Sequence, residues 1–259
     1  MTDPYHREIE DWRAERLAAL TAADGWLNLT DRAEIAPGRM RVGRDGDNDV
    51  IISVGPAHLG VLDLTKDGRA TLDQGDGPQL FQPVPDNPPR LVADGLLLEA
   101  TQVEGVFALR VRDINALSRQ DFPGIDSYPI DPAWRIEAAW QPLPSPQELT
   151  IELITGASDT VRITHQAVFR HDGADVALLP THQKSGKPMF VIRDATAGAE
   201  TYGAARFLIG EVQGDRVVLD FNKAFNPPCA FTEHAVCPLP PRQNILPFAV
   251  RAGEKKPKA

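Results

Sequence analysis

Residues 206–221 read RFLIGEVQGDRVVLDF. Two runs rich in β-branched and aromatic residues, Arg206–Val212 and Arg216–Phe221, flank a Gly214-Asp215 turn signal, which is the pattern of a β-hairpin. With the chain reversing over Gln213–Asp215, residues near 208 and 220 come opposite one another. Arg206 is then expected to face Asn222 or the diagonal Asp220, within hydrogen-bonding reach of Asp220 or of a group bound by both.

The same two-residue period recurs upstream. Trp134–Trp140, Leu149–Ile154, Thr160–Phe169, Val176–Pro180 and Pro188–Asp194 read as strands, with turns at Gly173 and Gly186. Arg135-Ile136-Glu137-Ala138 alternates as a sheet with one buried face does. Seven short strands without intervening helices predict an antiparallel β-barrel or sandwich. Farther toward the N-terminus, Val50–Val54, His58–Leu64, Leu96–Thr101 and Val106–Val111 predict a second β region. Its turns are Lys66-Asp67-Gly68 and Gly75-Asp76-Gly77, and the proline-rich Gly77–Pro89 reads as a surface loop. Ahead of all this, Asp3-Pro4 opens a helix. Ile9, Trp12, Arg16, Leu17 and Leu20 recur at helical steps, and Asp24-Gly25 ends it. The expected fold is mainly β. It comprises an N-terminal helix (1–24), a β-sandwich (25–120), a linker (121–133) and a larger antiparallel β domain (134–254) with an irregular proline-rich wrap. A basic tail follows (255–259).

Composition excludes several classes of function. The chain has 259 residues and a net charge of −9, whereas a nucleic-acid footprint needs clustered Lys and Arg. No run approaches the ~20 apolar residues of a membrane span. The acidic start MTDPYHREIEDW has no apolar core of a secretory signal, so a cytoplasmic location is the expectation. No G-x-S-x-G, P-loop, G-x-G-x-x-G or H-E-x-x-H motif is present, and no cofactor is expected. The run Asp45–Asp49 begins like a calcium loop but has Val50 where glycine and Pro56 where glutamate would be required. Cys229, His234 and Cys237 have a loose metal spacing without an evident fourth ligand, so no metal is expected either.

Arg41-Val42-Gly43-Arg44, Asn48–Ile52, Pro56-Ala57-His58 and Leu91–Leu98 resemble the opening strands of a forkhead-associated domain. That resemblance implies a β-sandwich and a phosphothreonine site. Arg44 and His58 fit it, but Gly55 stands where the phosphate-gripping serine belongs, so phosphopeptide binding is not expected.

The densest segment lies between Arg193 and Glu254. It contains Thr201-Tyr202 with Arg206 and Leu208, then Asp220-Phe221-Asn222-Lys223-Ala224-Phe225-Asn226-Pro227-Pro228-Cys229-Ala230-Phe231. Cys237-Pro238-Leu239-Pro240-Pro241, Asn244 and Ala252-Gly253-Glu254 complete it. This string resembles the prokaryotic family known as domain of unknown function 1684, and the name carries no activity.

Chemistry must therefore be read from the residues. Proline-rich backbone has no internal hydrogen bonds, so its carbonyls need donors, and Arg206, Asn222 and Asn244 can supply them. In that reading the segment is a polar clasp. In the other, Tyr202, Arg206, Asp220, Asn222, Asn226 and Asn244 line a pocket that binds, or binds and transforms, an anionic or amide-bearing small molecule. The alternative from a different class is a non-enzymatic module that meets a protein partner through residues 25–120.

Overall fold

The computed structural model describes residues 3–85, 87–103, 105–116 and 121–258. The ends of the expected segments at residues 1–2, 117–120 and 259 lie outside these. The described chain is mainly β with one α-helix, Pro4–Thr21. By its internal contacts it divides into two compact units, residues 19–122 and residues 1–18 with 123–259. No helix among the described residues is long and apolar enough to cross a membrane.

The 19–122 unit is a sandwich of two five-stranded sheets. One sheet runs in the order Leu29–Ile35, Val106–Asp113, Leu96–Val103, Asn87–Ala93, Gln82–Val84. The other runs Val50–Ile51, Gly38–Gly43, Gly60–Leu64, Ala70–Asp73, Pro78–Leu80. Val42, Leu62 and Leu72 from the second meet Leu98, Leu109 and Val111 from the first in one apolar core. The proline-rich stretch expected to be a loop instead supplies the start of Asn87–Ala93 and two of the edge strands, Pro78–Leu80 and Gln82–Val84. Proline is tolerated there because an edge strand leaves one row of N–H groups unused by the ladder.

The other unit is built on an open, antiparallel seven-stranded sheet. Its order is Ala174–Leu178, Ser158–His171, Arg135–Glu152, Arg216–Asp220, Arg206–Gln213, Lys187–Ile192, His182–Lys184. The first and last strands do not pair, so the sheet does not close, and of the two expected forms the barrel is ruled out. Trp134–Trp140 and Leu149–Ile154, expected as separate strands, are parts of one 18-residue strand, Arg135–Glu152. Both sides are paired only at Ala139, where the stretch 135–139 along Arg216–Asp220 meets the start of the pairing with Ser158–His171. Pro142 to Pro146 fall beyond that stretch, at a register irregularity between Pro142 and Gln147. Missing amide donors cost little there.

One face of the sheet carries Ala138, Val217, Leu219 and Leu208 into a core shared with Phe190, Phe221, Leu246, Val250 and Ala252. The last four come from the segment after the final strand, which wraps irregularly over the sheet. Backbone bonds hold it: Arg193 N–H to the Asn244 carbonyl at 3.1 Å, Ala195 N–H to Phe248 at 3.1 Å and Glu254 N–H to Ala224 at 2.8 Å. Gly253 makes the last of these contacts feasible. Its φ is +76°, and an added Cβ would stand 2.4 Å from the Ala224 carbonyl oxygen. No L side chain fits that approach.

Candidate functional site

The hairpin at Gly214-Asp215 turns in two residues, with Gln213 opposite Arg216 and Gly210 opposite Leu219. The expected three-residue reversal would have shifted this register by one. A one-residue shift exchanges the faces of every side chain beyond the turn. Arg206 therefore shares the inward face with Leu208, while Asp220 points to the other. The expected Arg206–Asp220 contact is not made.

Arg206 is instead 1% exposed, and its two terminal nitrogens bond to Asp194 and to the wrap, while the buried Nε has no partner. Its guanidinium donates to Asp194 Oδ2 at 2.7 Å and to the carbonyls of Ala252 at 2.5 Å and Val250 at 2.9 Å. Asp194 also accepts from the Thr196 amide at 2.8 Å, the Thr196 hydroxyl at 2.6 Å and the Val250 amide at 3.2 Å. Asn244, wholly buried, accepts from Leu179 N–H at 2.8 Å and donates to the carbonyls of Leu179 and Val191, each at 2.9 Å. These bonds fasten proline-flanked backbone that cannot bond to itself. Arg206 and Asn244 act as clasps.

Asp220 and Asn222 hold the helix. Tyr5 Oη donates to Asp220 at 2.9 Å and accepts from Asn222 Nδ2 at 2.9 Å. Asn222 also joins the Asp131 backbone through both N–H and C=O, and Arg135 stands 3.5 Å from Asp220. Burial, and then the Asp220 charge, push the Tyr5 phenol well above its ordinary range. The helix thus docks by polar side chains as much as by an apolar stripe: Ile9 is buried, but Leu17 is 37% exposed. Tyr5→Phe should lower stability by about 1–3 kcal/mol, because Asp220 and Asn222 keep their burial and lose a partner. Chemical denaturation of the two proteins measures it.

The third asparagine, Asn226, turns toward the helix as well. Its amide donates to Glu254 Oε2 at 2.7 Å and its Nδ2 to the Lys255 carbonyl at 2.7 Å. Glu254 Oε1 takes Arg16 Nε at 3.0 Å, and Arg16 also reaches the Asn226 carbonyl at 2.9 Å. Burial pushes the Glu254 carboxyl up, against the opposing pull of Arg16. Glu254 and Arg16 border a cleft of about 360 Å³ that is further lined by Trp12, Arg13, Leu17 and Ser127.

Beside this cleft two cations share one ring. The Arg16 guanidinium carbon lies 4.9 Å from the Phe225 centroid and the Lys184 ammonium 5.3 Å from it. Phe231 lies 5.8 Å from the same guanidinium, and Trp12 packs 6.3 Å from Phe225. Lys184 keeps much of its surface in solvent, yet its ammonium is held below the ordinary lysine range. The protein around it withdraws water, and Arg16 repels it. Among the described residues no carboxylate stands within ion-pair distance of Lys184. Sequence reading missed both cations. Arg16 looked like one step of a helical stripe, and Lys184 lies on the three-residue strand His182–Lys184, too short for a periodic signal.

Tyr202 donates to the Cys229 carbonyl at 2.9 Å, away from the Arg206 clasp. Among the described residues no group of three or more His, Cys, Asp or Glu side chains is placed to hold a metal ion. In the 19–122 unit, Arg44 is exposed and its amide donates to the Pro56 carbonyl at 3.0 Å. The His58 ring lies 3.4 Å from Asn48 Oδ1, and an added Cβ at Gly55 would meet the Leu96 side chain at 2.7 Å.

The family model described as a protein of unknown function, DUF1684, matches residues 120–255. A similar solved structure is the solution NMR structure of the uncharacterized protein from gene locus rrnAC0354 of Haloarcula marismortui. It is 32% identical over 53% of this chain and 79% of that chain, with a TM-score of 0.43. None of the curated proteins matches the chain.

Proposed function

The chain belongs to the DUF1684 family of proteins of unknown function, and we propose that its C-terminal unit, with the N-terminal helix, binds a small anionic molecule at Arg16 and Lys184. One observation carries this reading. Two cations approach the Phe225 ring, and the second has no carboxylate partner among the described residues. Like charges held together raise the free energy of the empty site, and an anion between them removes that cost. Trp12 and Phe231, each partly exposed, offer apolar surface for the rest of the molecule, beside a cleft of a size suited to a small ligand. An anion is one of the two ligand classes expected from the sequence, the other being an amide-bearing molecule. The place is different, because Arg206 is sealed at 1% exposure against Asp194 and the wrap carbonyls, and buried Asn244 is bonded to Leu179 and Val191. The interaction-module reading, through residues 25–120, rests on exposed Arg44 and His58 alone, with no hydroxyl at Gly55 beside them.

Titration of the full chain with inorganic phosphate or succinate, followed by NMR, should shift the Trp12 indole and Arg16 Nε signals saturably. Lys184→Gln, on an exposed side chain, should weaken binding roughly tenfold, the worth of one charge-assisted hydrogen bond. Binding needs the ammonium form, whose pKa is depressed. Once the anion is fully charged, affinity should therefore hold and then decline as pH rises through that depressed value, sooner than for an ordinary lysine. Absence of saturable shifts with either anion, or equal affinity in Lys184→Gln, would overturn the reading.

A further inference from the structure

We infer that Cys229 and Cys237 form a reversible intramolecular disulfide, so that the loop between them is a thiol–disulfide switch closed by peroxide. The two residues are brought together by separate anchors. Cys229 sits in the short turn Pro228–Ala230, where Tyr202 Oη holds its carbonyl at 2.9 Å. Cys237 is tied to the end of the long strand: its carbonyl accepts from Ile154 N–H at 2.9 Å, and Leu239 N–H donates to Glu152 at 2.7 Å. Between these anchors the Cys229 amide stands 3.3 Å from Cys237 Sγ. An amide nitrogen in contact with the partner's sulfur brings the two residues into the range over which a disulfide forms without rebuilding the backbone.

The two thiols differ in access, as a peroxide-reactive cysteine and its resolving partner must. Cys229 is partly exposed and Cys237 is buried. The Cys229 thiol is also held below its ordinary value, chiefly by a hydrogen bond from the Cys237 thiol and further by the Tyr202 hydroxyl, while burial opposes both. A thiolate at Cys229 is therefore available nearer neutral pH than for a free cysteine.

The chemistry balances with hydrogen peroxide as oxidant. The Cys229 thiolate attacks one peroxide oxygen, an S–O bond forms, the O–O bond breaks, and the departing hydroxide takes a proton to leave as water. Cys237 sulfur then attacks the sulfenic sulfur. The S–S bond forms, the S–O bond breaks, and the Cys237 proton leaves with the hydroxyl as a second water. Two thiols and one peroxide thus become one disulfide and two waters, with two electrons passing to oxygen. The closed loop carries Phe231, one of the rings beneath Arg16.

Reduced full-length protein treated with stoichiometric hydrogen peroxide and then denatured with N-ethylmaleimide should take up no label. Its mass should be lower by two hydrogens, and digestion should yield one linked peptide containing both cysteines. Cys237→Ser should stop at a sulfenic acid on Cys229 that dimedone traps, and Cys229→Ser should leave Cys237 unmodified at the same dose. Tyr202→Phe should move the pH midpoint of Cys229 alkylation upward, which a merely structural tyrosine would not do. Two labelled thiols after peroxide, disulfide-linked dimers in place of the internal link, or dimedone capture at Cys237 in Cys229→Ser would each overturn the inference.

Discussion

Arg206→Ala should destabilise the C-terminal unit by about 3–5 kcal/mol, the cost of leaving a buried charge without its partner. Asp194 would keep its burial and its bonds from Thr196 and Val250, but lose the guanidinium at 2.7 Å. The carbonyls of Val250 and Ala252 would lose donors in the same step. The double replacement Arg206→Met with Asp194→Leu should cost clearly less than the two single changes added together, because neither charge is then stranded. Urea unfolding of the four proteins measures the cycle. A cost for Arg206→Ala under about 1 kcal/mol, the range of an exposed ion pair, would show that the clasp carries little of the unit's stability.

The next largest effect is expected at Asn244. Asn244→Ala strips hydrogen-bond partners from Leu179 N–H, Leu179 C=O and Val191 C=O. An unsatisfied buried polar group costs about 1–3 kcal/mol, so partial relaxation still leaves a loss of about 3 kcal/mol or more. Asn244→Asp separates hydrogen bonding from volume. It has nearly the same shape but turns an acceptor toward two carbonyl oxygens, and should be at least as damaging. If Asn244→Asp were as stable as the parent protein at neutral pH, the side chain would be filling space and not bonding backbone.

Both effects bear on what the signature segment is for. Its polar residues looked equally able to line a pocket or to satisfy proline-rich backbone. Burial separates the two. Arg206 and Asn244 are sealed beneath the wrap with their bonds directed at carbonyls, and Asp220 and Asn222 are spent on Tyr5 and Asp131. Lys184, which the segment's pattern does not include, stays exposed beside Arg16, whose guanidinium is already bonded to Glu254 and the Asn226 carbonyl.

The sequence by itself determined the mainly β class, the helix that opens the chain and the hairpin around Gly214. Each is written in neighbouring residues: a two-residue period, a cap followed by proline, a glycine that accepts φ of +65°. It also determined that a proline-rich segment must borrow hydrogen bonds from side chains. Tertiary structure alone decided which side chains lend them. The choice between a two-residue and a three-residue turn reverses the face on which Arg206 lies, and both fit the same Gly-Asp signal. The partnership of Tyr5 with Asp220 joins residues 215 positions apart, and the meeting of Arg16 with Lys184 depends on where a helix and a short hairpin come to rest. Such contacts arise from packing between elements, where the local periodicity of a chain carries no record of its partner.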